Sequence, residues 1–223
     1  MSATPGASQR AARVGRTVLK DQMDDNEIRT RLLCPDRLYG RDEVLGSACP
    51  VPRAAGVYAW FFRQVPDLVP TEGCLTHEGL TLLYVGISPD KQGKPNSSQT
   101  LRHRVRYHYQ GNAEGSTLRR TLGVLLAEES GFPLRRVGSG RRMTFTNAGE
   151  KWLDAWIREN AFVIWIEHIE PWLLEHELLH AVSIPLNLKG NGHHGFAAKL
   201  SGLRRRANAH ARALAVVEDR DPR

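Results

Sequence analysis

Two short stretches decide the fold: GVYAWFF at residues 56–62 and LTLLYVG at residues 80–86. Both are rich in aromatic and β-branched side chains and both are bounded by turn-forming residues, the signature of strands rather than helices. Pro66, Pro70 and Gly73 lie between them. That spacing predicts an antiparallel pair, with residues 64–79 as a long hairpin tip whose length adds little to the entropy of closing the loop. Side chains alternate along a strand. Tyr58 is therefore expected on the face of Trp60 and Phe62, Tyr84 on the face of Leu82, and the two phenols side by side across the pair.

Working outward, residues 1–20 are small, basic and aperiodic, and read as a disordered tail. Residues 21–55 read as a helix from Asp24 to Leu33, capped by Asp24 or Asp25 and broken by Pro35, followed by a connector. Residues 88–99 read as a loop. Thr100 is placed to cap a helix to about Tyr109, with Leu101 and Val105 facing inward. Ser116 or Thr117 caps the next, which carries Leu118, Leu122 and Leu125. Asn147 and Glu150 resemble a capping box for a helix through Asn160, with Trp152, Trp156 and Ile157 as its buried stripe. Residues 163–169 read as a third strand. Pro171 opens a helix to about Ser183, ended by Pro185. The final basic helix, within residues 192–223, carries Phe196, Leu200, Leu203, Ala207, Ala211 and Leu214. The expected class is α/β of the α+β kind: a small mixed, mainly antiparallel three-stranded sheet flanked by helices.

Composition narrows the function. The 223 residues hold 31 Lys and Arg against 24 Asp and Glu, a net charge of +7. No apolar run approaches the length of a membrane span, and the basic start lacks the apolar core of a secretory signal. Three scattered cysteines support neither a disulfide framework nor a cysteine-rich zinc site, so a reducing cytoplasm, including the nucleoid, is the expected compartment. The basic excess is concentrated. Residues 101–142 hold nine arginines and three acids, and residues 199–223 hold seven basic residues and three acids. Arginine grips phosphate in a bidentate fork. A polyanionic partner is therefore expected, with Arg102, Arg106, Arg119 and Arg120 tracking a nucleic-acid backbone and Arg204, Arg205 and Arg206 as a second contact.

Several pieces occur together in one order: Gly56-Val57-Tyr58, then Tyr84-Val85-Gly86, then Arg104 and His108 one helical turn apart, then Glu175, then Asn187 after Pro185. In this arrangement the chain resembles the GIY-YIG nuclease superfamily over residues 56–191. The resemblance implies a metal-dependent endonuclease acting on DNA ahead of RNA, with Mg²⁺ or Mn²⁺ as cofactor. It implies Tyr58 as general base, Arg104 on the phosphate, Glu175 as the metal ligand and Asn187 as a supporting residue. A phenol of ordinary pKa is a poor base at neutral pH, so Tyr84 and His108 are expected to form a hydrogen-bonded relay with Tyr58. Two departures stand out: the tyrosines are far apart in sequence, and Ile87 occupies a position where many members carry Lys.

Each piece alone has an ordinary structural explanation, and two other functions fit parts of the sequence. Loss of the cation at position 87 suits a nucleic-acid-binding module with weak turnover. His176-Glu177-Leu178-Leu179-His180 matches H-E-x-x-H, the pattern of a zinc metallopeptidase. The nuclease requires Glu175; the peptidase requires Glu177 and both histidines.

Overall fold

All seven residues of β1 (Gly56–Phe62) are buried. A strand with no exposed face needs a neighbour on each edge and helices over both faces. In the computed structural model, which describes residues 25–89 and 99–218, that is the arrangement found. The tail expected over residues 1–20 and most of the loop expected over 88–99 lie outside the described residues. One edge of β1 pairs with β3 (Leu80–Ser88), the other with β6 (Ala161–Glu167). The two-residue β2 (Thr76–His77) extends the sheet beyond β3, giving the order β2-β3-β1-β6 with every pairing antiparallel. The sheet thus has four strands rather than the three expected. A separate hairpin, β4 (Arg135–Val137) and β5 (Arg142–Thr144), was not anticipated; its strands are only three residues long and carry three arginines between them.

Two cores sandwich the sheet. On one face, Tyr58, Trp60, Phe62, Leu83 and Tyr84 pack under α3 (Leu101–Gln110), α4 (Thr117–Leu125), α6 (Asn147–Asn160) and α8 (Ala197–Ala213). On the other, Val57, Ala59, Phe61, Leu82, Val85 and Ile87 pack under α1 (Asp25–Leu33) and α7 (Pro171–Ala181). Two shorter helices, α2 (Arg41–Leu45) and α5 (Ala127–Ser130), complete the set. No helix among the described residues is long and apolar enough to cross a membrane.

The expected face for Tyr84 is corrected by the register. Trp60 stands opposite Tyr84 but Phe61 opposite Leu82, so Leu83 is an extra residue, a β-bulge. Counting back from the hairpin tip without it, Tyr84 would face Ala59 and point into the α7 core. The bulge inverts the alternation, so that Leu82 belongs to one face and Leu83 and Tyr84 to the other. The phenols become diagonal neighbours, with Tyr58 directly opposite Gly86. A Cβ on Gly86 would lie 2.5 Å from the Tyr58 hydroxyl oxygen, so this glycine clears the path of the ring. Gly56 does the same for the neighbouring strand, since a Cβ there would lie 2.1 Å from the carbonyl oxygen of Ile166.

The helices begin where their caps dictate. Thr100 Oγ1 accepts from the amide of His103, and Ser116 Oγ from that of Arg119. For α6 the cap is Thr146 rather than Asn147, and Glu150 is drawn inward instead of closing a capping box. Its carboxylate meets Arg119 at 2.6 Å, with Asp154 2.7 Å from the same guanidinium. Arg119 also donates to the carbonyls of His108 and Tyr109, each at 3.3 Å. This wholly buried cation joins α3, α4 and α6.

Removing one member of a buried ion cluster strands its partners in a low-dielectric interior. Arg119→Met is expected to cost about 3–5 kcal/mol, read by urea denaturation. Gly86→Ala is expected to cost about 1–3 kcal/mol by pushing the Tyr58 ring aside. Denaturation midpoints equal to wild type in both would contradict this account of the packing.

Candidate active site

Tyr58, Tyr84 and His108 meet beneath α3. The Tyr58 hydroxyl lies 2.9 Å from His108 Nε2, and His108 Nδ1 lies 2.7 Å from Ser116 Oγ. Tyr84 presents its ring nearly edge-on to His108, with centroids 6.0 Å apart, and its hydroxyl is 3.1 Å from Thr117 Oγ1. The expected relay therefore runs from Tyr58 through His108 to Ser116, and the Tyr84 hydroxyl turns instead to the start of α4. Ser116 and Thr117 entered the sequence reading only as helix caps. Their second role is visible only once α4 has been folded back against α3.

Burial dominates the electrostatics. It pushes the Tyr58 phenol far above its ordinary value, with the charge on Tyr84 adding to the rise and Arg104 opposing it by charge and by a hydrogen bond. Burial likewise raises Tyr84. It lowers His108 well below the usual imidazole range, assisted by Arg104 and Arg119. Both phenols and the imidazole are therefore neutral at physiological pH. A neutral imidazole protonated at Nδ1 donates to Ser116 Oγ and leaves Nε2 free to accept from the Tyr58 hydroxyl.

Glu175 reaches this cluster from an unexpected direction. α7 covers the opposite face of the sheet, where its Leu174 and Leu178 pack with Val57, Val85 and Ile87. Glu175 sits at the margin of that stripe, half-buried, and its charge acts on both phenols. Burial raises its own carboxyl to about 7, and Lys189 opposes the rise only in part. No hydrogen-bond donor meets the carboxylate among the described residues. Arg104 and Glu175 are the two half-exposed members of the group, so a strand approaching the phenols meets them first.

Asn187 stands behind the site. Its amide accepts from Val85 N at 3.0 Å and donates to Val85 O at 2.8 Å, so one side chain satisfies the β3 edge beside Gly86. Leu186 N donates to Leu83 O at 3.0 Å and closes the bulge from the same side.

The arginines divide. Arg119 is wholly buried in its ion cluster, so the expectation that it tracks a nucleic-acid backbone is corrected. Arg120 donates to the carbonyls of Ala113 and Met143, both at 3.0 Å. Arg102 donates to Val51 O and Cys49 O, and Arg106 to Val44 O, ties that anchor α3 to the segment before β1. Both stay half-exposed and line an open depression with Arg53, His103 and Tyr107. On the zinc pattern, His180 Nδ1 bonds the carbonyl of His176 on its own helix, and its ring stacks on His193. No cluster of three or more His, Cys, Asp or Glu placed to hold an ion occurs among the described residues.

The donor set limits which cation would fit. One carboxylate with no competing protein donor suits a hard divalent ion that keeps most of its waters, not one that demands a cage of nitrogen and sulfur ligands. Glu175 is the residue that could hold it.

A family model described as the GIY-YIG catalytic domain matches residues 56–206. Comparisons with curated proteins and with solved structures gave no match. The matched span covers more than half of the chain and contains all five convergent side chains, Tyr58, Tyr84, Arg104, His108 and Glu175. It implies a nuclease-type activity with nucleic acid as substrate. The chain belongs to the family of the GIY-YIG catalytic domain.

Proposed function

We propose that the chain is a metal-dependent endonuclease that hydrolyses phosphodiester bonds in DNA ahead of RNA, with Mg²⁺ or Mn²⁺ held by Glu175. The observation that supports this most directly is the Glu175 carboxylate. It is desolvated, without a donor, and electrostatically joined to two buried phenols and, through them, to Arg104. A structural glutamate in such a place acquires an arginine or an amide partner.

Tyr58 accepts the proton of the attacking water while passing its own to His108 Nε2. A coupled transfer of this kind avoids the free phenolate that burial forbids; the imidazolium it leaves, which burial also disfavours, is offset by the negative charge that gathers on the phosphate in the same step. Ser116 holds the imidazole in the tautomer that can receive it. Arg104 binds the scissile phosphate and favours the added charge of the transition state. Glu175 would hold the divalent cation, which when bound would supply further neutralisation of charge on the phosphate and the leaving oxygen. Asn187 acts at one remove, by fixing the strand that carries Tyr84. Arg102 and Arg106 on the outer side of α3 offer a path for the flanking backbone.

Glu175→Ala is expected to abolish cleavage of plasmid, single-stranded and branched DNA while leaving binding in EDTA near wild type. Mg²⁺-dependent cleavage by that variant would falsify the assignment. Salt-sensitive binding by the wild-type chain, with no cleavage under either metal, would favour the weak-turnover module instead.

The pH dependence follows from the carboxyl at about 7. Cation and proton compete for the same oxygens, so cleavage should rise as pH climbs through about 7, and more metal should move the midpoint to lower pH. For the metal-free protein the raised value favours folding fully below about 4.5, and this contribution is lost as pH rises past about 7. Glu175→Gln should remove that slope. Thermal melts across the interval, with the variant falling in parallel with wild type, would contradict it.

A further inference from the structure

α8 buries a stripe made of Ala197, Leu200 and Ala211. Arg204 follows Leu200 by one helical turn and precedes Ala211 by two, so it lies on that inward stripe and is half-buried, while Arg205 and Arg206 are exposed. An arginine at such a position is normally matched by a carboxylate or by carbonyls, as Arg119 is. Arg204 has no acceptor among the described residues. Tyr84, a neutral phenol, and Arg120, a second guanidinium, lie within electrostatic reach of it. Loss of hydration and like-charge repulsion both act on Arg204 in the free protein, and an anion would relieve both.

The fold aims this cation at the site. α8 packs on α4, and the first residue of α4, Thr117, bonds the Tyr84 hydroxyl. Leu200 shares one core with Leu118 and Tyr84. Arg104 stands on α3 and is hydrogen-bonded to Tyr58, whereas Arg204 stands on α8 and acts on Tyr84. The two guanidiniums therefore come to the cluster from different helices, Arg104 at the proposed base and Arg204 at Tyr84.

We propose that Arg204 is a substrate-contacting residue that binds a backbone phosphate adjacent to the scissile one, on the Tyr84 side of the site. The proposal rests on the nuclease reading above and extends it: α8 completes the substrate groove rather than merely packing on the domain. It also supplies a cation that the β3 strand does not, because Ile87 is buried on the α7 side of the sheet.

The test is binding of a fluorescein-labelled DNA duplex, with the matching RNA as a second probe, in EDTA across a range of salt. Wild type is compared with Arg204→Met, Arg204→Lys and, as a neighbouring control, Arg205→Met. Arg204→Met should weaken binding roughly tenfold and reduce the slope of log affinity against log salt by about one. Its melting temperature should be unchanged or higher, because an unmatched guanidinium is replaced by an apolar chain of similar length. Arg204→Lys should recover much of the affinity, and Arg205→Met should fall between wild type and Arg204→Met. Wild-type affinity and slope in Arg204→Met would overturn the proposal, as would a loss of binding accompanied by a lower melting temperature. Failure of the wild-type chain to bind either probe would overturn the nuclease reading, and the role of Arg204 with it.

Discussion

One extra residue in β3 decides whether this domain has a site at all. Alternation along a strand is strict, so two side chains on neighbouring strands share a face only if the register between them has the right parity. From the hairpin tip to Leu82 the parity is wrong for Tyr84. The bulge at Leu83 corrects it, and everything beyond depends on that correction: Tyr84 under α4, Gly86 open for the Tyr58 ring, Val85 free to be bonded by Asn187. β2 covers only the start of β3, and the segment after α7 satisfies the outer edge beyond it, through Leu186 at the bulge residue Leu83 and through Asn187 at Val85. The same segment follows the helix that carries Glu175. One stretch of chain thus repairs the strand and helps fix the approach of the carboxylate.

The chemistry follows from dryness. Two phenols and an imidazole in contact with water would titrate independently and exchange protons with the solvent. Buried, all three are held neutral; Tyr58, His108 and Ser116 are hydrogen-bonded in sequence, while the Tyr84 hydroxyl bonds Thr117. The cations around them are treated differently. Arg119 is fully matched by Glu150 and Asp154 and serves the fold, whereas Arg204 is left without an anion. The contrast between a matched and an unmatched arginine separates architecture from substrate recognition more clearly than basic composition does.

Much of this was legible in the sequence, for identifiable reasons. The bounds of β1, the Thr100 and Ser116 caps, the inward Leu101 and Val105, and the start of α7 at Pro171 were all set by local chemistry that neighbours did not override. What escaped was non-local. LTLLYVG alternates equally well with or without a bulge, because Leu82 and Leu83 are both apolar and either can face a core. Arg119 reads as one more basic residue until Glu150, thirty-one positions away, is brought against it. The capping box at Asn147 failed for the same reason, since the ion cluster claimed the glutamate and left the cap to Thr146. The short hairpin β4–β5 has no periodicity long enough to announce itself.

The Arg119 cluster has one further consequence. Its guanidinium grips the carbonyls of His108 and Tyr109 as well as the two acids, so the segment presenting the imidazole is clamped by the same ion that holds three helices together. Tolerance to mutation in α6 is therefore coupled to the placement of His108. Loss of Glu150 would strand the buried guanidinium and unsettle the imidazole together with the fold, although neither acid of the cluster meets the phenols.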